Sequence, residues 1–278
     1  MNTTFYKILS IPARLVAVVA ILLSGFLSVA AADIAAEADS AYMHNEYDKA
    51  VRLYTDLLRQ NPSSPSILYN LGCAYYKSGN EGEARLCLER AHRLDPSDSR
   101  ITRNISYLAS RIEDANKAEL KGKKGNVAPD ELGFFADMHS WIAAGHSSDL
   151  WAGLAAGSFV LFVIAIALYV LSQNVIVKKT GFFSSIVLFV ASAVFIAFAF
   201  MAAKEFNRTD LGIVTSFKTV LTEEPADDAK AVGASLHRGT KLQILDSRLN
   251  PEGKTGWYKV RLNSDNIGWI PADNLTVI

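Results

Sequence analysis

Between Leu68 and Pro96 the residues Leu68, Leu71, Gly72, Tyr75, Ala84, Leu88, Ala91 and Pro96 fall at the intervals of one helix-turn-helix. The same punctuation stands 34 residues earlier, where Ala50 and Pro62 answer Ala84 and Pro96 inside Tyr47-Asp48-Lys49-Ala50 and Gln60-Asn61-Pro62. A unit of this period cannot bury its apolar face alone and must stack on a neighbour. The stack offers a shallow groove suited to extended peptides or partner helices. Its repeated positions are small or apolar, so the pattern predicts binding and no chemistry.

The 28 basic and 28 acidic residues cancel, so no global field draws the chain to nucleic acid or to acidic ligands. Half of the residues are hydrophobic, and they are unevenly placed. Lys7 and Arg14 precede an apolar run from Leu15 to Leu27, followed by Ser28-Val29-Ala30-Ala31-Ala32-Asp33. This predicts a secretory signal peptide over residues 1–32, cut after Ala32. If kept, the run from Leu15 to Ala32 is just long enough to cross a bilayer. No Cys stands near the cleavage region, which argues against a lipid-anchored form.

Leu150 to Leu171 and Phe182 to Ala203 carry no charge. At about 1.5 Å per residue each crosses a core of about 30 Å. They predict transmembrane helices over 150–172 and 182–203, joined by a cytoplasmic turn over 173–181 that holds Lys178 and Lys179. Gly125 to Leu150 has no Lys or Arg, so both soluble parts are expected on the outer side, although Lys204 and Arg208 weaken that asymmetry. Neither span holds an ionisable residue, which disfavours transport and leaves the spans as an anchor. Gly153 and Gly157 form a G-x-x-x-G that could bring helices close, as could Ala193 and Ala197, but Gly and Ala are common in such helices anyway.

Asp33 to about Asn116 reads as helical, with breaks at Asn61-Pro62-Ser63-Ser64-Pro65 and Asp95-Pro96. Ser64 suits a cap with Pro65 at the first helical position. Two repeats, 31–64 and 65–98, are followed by a capping helix over 101–114, with Ile101, Ile105, Leu108 and Ile112 on one face. These residues resemble the tetratricopeptide repeat. In the first copy Ala38, Ala50, Tyr54 and Pro62 match, while Glu37 and Ala41 depart. The resemblance implies that ligand-facing side chains come from the first helix of each pair. These are Asp39, Tyr42 and Met43, then Tyr69, Cys73, Tyr76 and Lys77. Their aromatic rings would supply contact area at little entropic cost, unless some of the tyrosines merely cover the third helix. Repeat geometry turns Cys73 to the groove and Cys87 elsewhere, which predicts two free thiols rather than a disulfide.

Residues 117–149 read as a Lys-rich linker and a short interfacial helix from Leu132-Gly133-Phe134-Phe135 to Trp141-Ile142, with Trp141 and Trp151 as membrane anchors. His139 and His146 lack a third ligand nearby, so no metal site is expected. From residue 211 to 278, five short strands are expected at Ile213-Val214, Val220-Leu221, Lys241–Leu245, Trp257–Leu262 and Gly268–Pro271. Such spacing suits a small closed barrel. Gly239-Thr240, Trp257-Tyr258-Lys259-Val260 and Gly268-Trp269-Ile270-Pro271, ending at Asn274-Leu275, resemble the bacterial SH3-like domain. That implies binding of peptides or peptidoglycan through Trp257, Tyr258, Trp269 and Pro271, unless the two Trp lie in the core.

The expected fold is therefore a multi-domain membrane protein: an all-α repeat domain over 33–116, two transmembrane α-helices and a C-terminal all-β SH3-like barrel. Taken together, this order resembles the BatE proteins of the bacterial aerotolerance operon, including the Trp151-Ala152 start of the first span. The resemblance implies a bacterial inner-membrane scaffold with both soluble domains periplasmic. It also implies von Willebrand A-domain membrane proteins and a MoxR-type ATPase as partners, in an envelope stress-tolerance complex. A second reading is an envelope tether or sensor that grips peptidoglycan. No enzyme and no cofactor are expected. His44, His92, His139, His146 and His237 form no catalytic spacing, and no phosphate loop or G-x-S-x-G is present.

Overall fold

The computed structural model describes residues 33–120, 138–139, 141–142, 146–250 and 252–278. The expected signal peptide, most of the Lys-rich linker and the Leu132–Phe135 start of the interfacial helix lie outside the described residues. The chain divides into two compact units, Met1–Asn80 and Glu81–Ile278.

The first unit holds helices α1 (residues 33–43), α2 (Tyr47–Gln60) and α3 (Pro65–Lys77). Pro65 opens α3, and the Ser64 hydroxyl accepts a hydrogen bond from the Ile67 amide at 3.4 Å. The turn after α1 places Asn45 at φ 63°, and the Glu46 amide donates to the Ala41 carbonyl at 2.9 Å. The turn after α3 places Gly79 at φ 84°, and the Asn80 amide donates to the Tyr75 carbonyl at 2.8 Å. Every member of the second set stands 34 positions after its counterpart. The left-handed residue is Gly in one copy and Asn, the other residue that tolerates it, in the first. The repeat is thus a repeat of backbone turns as well as of residue types.

Ala38 and Ala50 are fully buried, as are Tyr54, Leu57, Leu68 and Leu71 nearly so. Glu37, which departs from the repeat pattern, is exposed and pairs with Lys49 at 2.8 Å. Ala41, the other departure, is buried.

The second unit begins with α4 (Glu81–Leu94) and α5 (Ser99–Leu120). The helix expected over 101–114 extends to Leu120, so Asn116, just past its expected end, is helical and buried. Ile101, Leu108 and Ile112 form its buried stripe. It packs on α4 and also on a β-strand, so it does more than cap a stack.

Two helices long and apolar enough to cross a membrane follow, α6 (Ser148–Leu171) and α7 (Val175–Phe206). The expected turn over 173–181 shrinks to residues 172–174, because Asn174 caps α7 by accepting from the Ile176 amide at 2.8 Å. Lys178 and Lys179 therefore lie in the first turns of α7. The helices approach at Gly181, where an added Cβ would meet the Ala165 carbonyl at 2.9 Å. Farther along, the Ser192 hydroxyl donates to the Ala155 carbonyl at 3.1 Å. Among the described residues nothing lies within 4 Å of a Cβ added at Gly153 or Gly157. Ala193 and Ala197 are exposed. The close approach thus uses Gly181, not the G-x-x-x-G.

The remainder is an antiparallel sheet of seven strands rather than the five expected: β1 (Leu211–Val214), β2 (Lys218–Thr222), β3 (Ala231–His237), β4 (Lys241–Leu249), β5 (Thr255–Arg261), β6 (Ile267–Pro271) and β7 (Leu275–Val277). Their order is β3-β2-β6-β5-β4-β1-β7. Val214, Leu221, Leu236, Leu242, Val260, Ile270 and Leu275 form one buried cluster, with a member from every strand. Both edges feed the same core, so the sheet curls around it. Among the described residues β3 and β7 end the ladder. The strand missed at Ala231–His237 has an internal Gly and little β-branching, so its own propensity is weak. Pairing to β2 and packing against α5 hold it.

Candidate functional site

The side chains assigned to the repeat groove sit on α1 and α3. Tyr42 of α1 is half-buried, and its phenol is pushed up in pKa by burial, then by Cys73, Tyr47 and Tyr69 beside it. Tyr42, Tyr69 and Cys73 are thus neighbours across the two helices. Tyr47, absent from the expected set, joins them with its ring edge-on to Tyr42 at 5.5 Å between centroids. Met43 is 77 % exposed and Lys77 is exposed at the end of α3, while Tyr76 is half-buried. Asp39 accepts a short hydrogen bond from the Tyr54 hydroxyl, and the Tyr54 phenol is raised by burial and then by that carboxylate. Asp39 therefore ties α1 to α2.

Cys73, half-buried, and Cys87, buried, form no disulfide among the described residues. Burial pushes the Cys87 thiol up to about 12, so it stays protonated and inert at neutral pH.

A second constellation joins α4 to the sheet. Glu89, whose side chain is 8 % exposed, meets Arg85 at 2.7 Å and Lys241 at 2.9 Å. Arg90 donates to the Val277 carbonyl and Arg93 to the Ile278 carbonyl, each at 2.9 Å. On α5, the Asn116 amide group donates to the Thr240 hydroxyl at 3.0 Å, and its oxygen accepts from the His237 amide at 2.8 Å. Gly239, at φ 84°, lies so close that an added Cβ would stand 2.5 Å from the Ile112 side chain. Nothing in the sequence singles out Arg85 and Glu89, whose i,i+4 spacing is that of any surface pair.

Burial raises the Glu89 carboxyl, but Lys241 and Arg85 more than offset it and hold it at about 2. Its stabilising contribution is therefore present above its ordinary value of 4.5 and lost as pH falls toward 2. Acid titration of the full chain, followed by proteolytic accessibility of α4, is expected to show loosening in that interval, and Glu89→Gln should weaken the pH dependence. Asn116→Ala is expected to cost about 1–3 kcal/mol, since it removes the hydrogen bonds to the buried Thr240 and to the part-buried His237 amide. A lowered melting temperature with an unchanged far-ultraviolet spectrum at 20 °C would register it.

The sheet residues divide between two faces. Tyr258 packs against the core cluster. Trp257 pairs in register with Pro271, and Lys259 with Trp269. These four are half-buried, alternate with the buried Val260 and Ile270, and so share the outer face. Arg248 pairs with Trp257 and lies 5.7 Å from the Trp269 ring centre. Neither Trp is a core residue.

Trp141 is 60 % exposed, whereas Trp151 is 6 % exposed and donates its indole N–H to the Ile142 carbonyl at 3.0 Å. Trp151 also packs on Phe195 and Phe198 of α7, so its ring is held between that helix and the Ile142 carbonyl. His146 Nδ1 lies 3.1 Å from the Trp141 carbonyl. Among the described residues no three His, Cys, Asp or Glu side chains converge on a metal position.

Residues 35–99 match the tetratricopeptide repeat family, less than half of the chain. No curated protein matches it. Repeats of this class mediate protein–protein interaction, and the matched segment carries the aromatic cluster on α1 and α3.

Proposed function

We propose that this chain is a non-enzymatic adaptor, anchored in a membrane by α6 and α7, whose repeat groove takes a protein partner. The clustering of Tyr42, Tyr69 and Cys73 beside the exposed Met43 within the matched repeat carries this reading. An aromatic and sulfur-containing surface suits an extended apolar peptide. By their resemblance to the BatE proteins, the whole architecture and its order favour an inner-membrane scaffold with both soluble parts periplasmic. In that setting the partners are von Willebrand A-domain membrane proteins and a MoxR-type ATPase. The test is affinity purification of the tagged full chain from native membranes in mild detergent. Recovery of those proteins, reduced about tenfold by Tyr69→Ala with Tyr76→Ala, is expected from removal of two aromatic anchors. Equal recovery by the variant, with its helices intact, would refute the groove.

The outer face of the sheet favours a second reading, a bacterial SH3-like module acting as a peptidoglycan tether. Trp257, Trp269 and Pro271 with Arg248 and Lys259 offer stacking area beside positive charge. The full chain in detergent is then expected to sediment with purified sacculi, and Trp257→Ala with Trp269→Ala to remain in the supernatant. Sedimentation unchanged by that pair of substitutions would reject the face as the grip.

A further inference from the structure

A cavity of about 600 Å³ opens where the start of α6 and the end of α7 meet α4 and the sheet. That volume is within the range of small-molecule sites, about 300–1,000 Å³. Its walls differ in sign. On the side of α4 and β4 stand Arg85, Arg93 and Lys241 against the single carboxylate of Glu89. On the hairpin side stand Asp149 and Glu205. Glu205 pairs with Arg208 at 2.9 Å, but Arg208 is itself matched by Asp210 at 2.8 Å, so this side keeps a negative excess.

The cavity continues downward. Ser148 and Asp149 also line the top of a second, apolar hollow of about 530 Å³ on the hairpin surface. Ala152, Ala155 and Ala156 of α6 face Ser192, Ala199 and Ala203 of α7 there, between Phe159 and Phe200. Small side chains on both helices leave a trough along the hairpin. A two-signed polar chamber thus stands directly above an apolar trough, at the level where α6 begins and α7 ends. If the hairpin spans a bilayer, that level is the headgroup region.

We propose that this paired cavity is a lipid site for a phospholipid whose head carries both a phosphate and a primary ammonium, of the phosphatidylethanolamine class. The phosphate lies against Arg93 and Lys241, where charge-assisted hydrogen bonds are strongest. The ammonium lies against Asp149 and Glu205. One acyl chain follows the alanine trough. A head with phosphate alone leaves the two carboxylates facing it, and a quaternary ammonium offers them no hydrogen-bond donor. The inference rests on the membrane-anchored reading of α6 and α7.

Alkaline washing of membranes that carry the full chain tests that reading first. The purified chain in detergent micelles holding equal amounts of dioleoyl phosphatidylethanolamine, phosphatidylcholine and phosphatidylglycerol is then analysed by native mass spectrometry. Retention of the ethanolamine lipid over both others is expected. Asp149→Asn with Glu205→Gln should cut that preference about tenfold, the worth of a charge-assisted hydrogen bond, while phosphatidylglycerol retention holds or rises. Ala156→Phe, an exposed trough position, should lower retention of all three without disturbing the helix pair. Equal retention of the three lipids, or preference for phosphatidylglycerol, overturns the proposal. A chain that resists the wash yet retains no lipid overturns the site and leaves the anchor standing. A chain released by the wash overturns both.

Discussion

Glu89→Ala is expected to destabilise the Glu81–Ile278 unit by about 3–5 kcal/mol, the cost of leaving a buried ion-pair partner unmatched. The carboxylate meets Arg85 and Lys241, and the Arg85 side chain is only 9 % exposed. Removing it leaves the buried Arg85 guanidinium and the Lys241 ammonium without the carboxylate that pairs them. Arg85→Leu combined with Glu89→Leu should recover much of the loss, because apolar groups need no partner there. Glu223→Ala supplies the contrast. Glu223 meets Lys230 at 3.0 Å, but both side chains are more than half exposed, so little change is expected. Thermal melting of the three variants in one detergent decides the matter. A melting temperature for Glu89→Ala equal to that of Glu223→Ala would show that the junction does not hold α4 to the sheet.

The second large effect separates two neighbours in β6. Ile270→Ala is expected to cost about 2–5 kcal/mol, since a fully buried branched side chain leaves a void in the cluster to which every strand contributes. Trp269→Ala, one residue away and on the outer face, should cost far less despite removing a larger group, because its ring is half-buried beside Arg248 rather than enclosed in the core. Denaturant midpoints measured side by side test this. Equal losses would place Trp269 in the core and remove the outer face as a ligand platform.

Period was the strongest signal available before the structure. The 34-residue spacing of Ala50 with Ala84 and Pro62 with Pro96 announces a helix pair, and the left-handed turns at Asn45 and Gly79 repeat it in the backbone. The uncharged runs were equally plain, since α6 and α7 need only length and apolarity. Hairpin details were not. The G-x-x-x-G at Gly153 and Gly157 faces outward, and Gly181, outside any motif, makes the close approach. Which face of a uniformly apolar helix turns inward depends on its neighbour, and no amphipathic stripe records it.

The sheet divides in the same way. Alternation located Trp257–Leu262 and Gly268–Pro271, because period 2 is local. It did not locate Ala231–His237, whose strand is held by β2 and α5 rather than by its own residues. Of the candidate groove residues, Tyr42, Tyr69 and Cys73 come together, while Asp39 is engaged by Tyr54 from the next helix.

Repeat period, apolar length and alternation, all properties of neighbouring residues, were set by the sequence itself, and with them the helix pairs, the two long apolar helices and the β character of the C-terminal part. Tertiary structure alone decided the burial of Glu89 between Arg85 and Lys241, the capture of Asn116 by the sheet, and the outward turn of Trp257 and Trp269. The first two bring together residues far apart in the chain, and a long-range contact leaves no periodic trace in a single sequence.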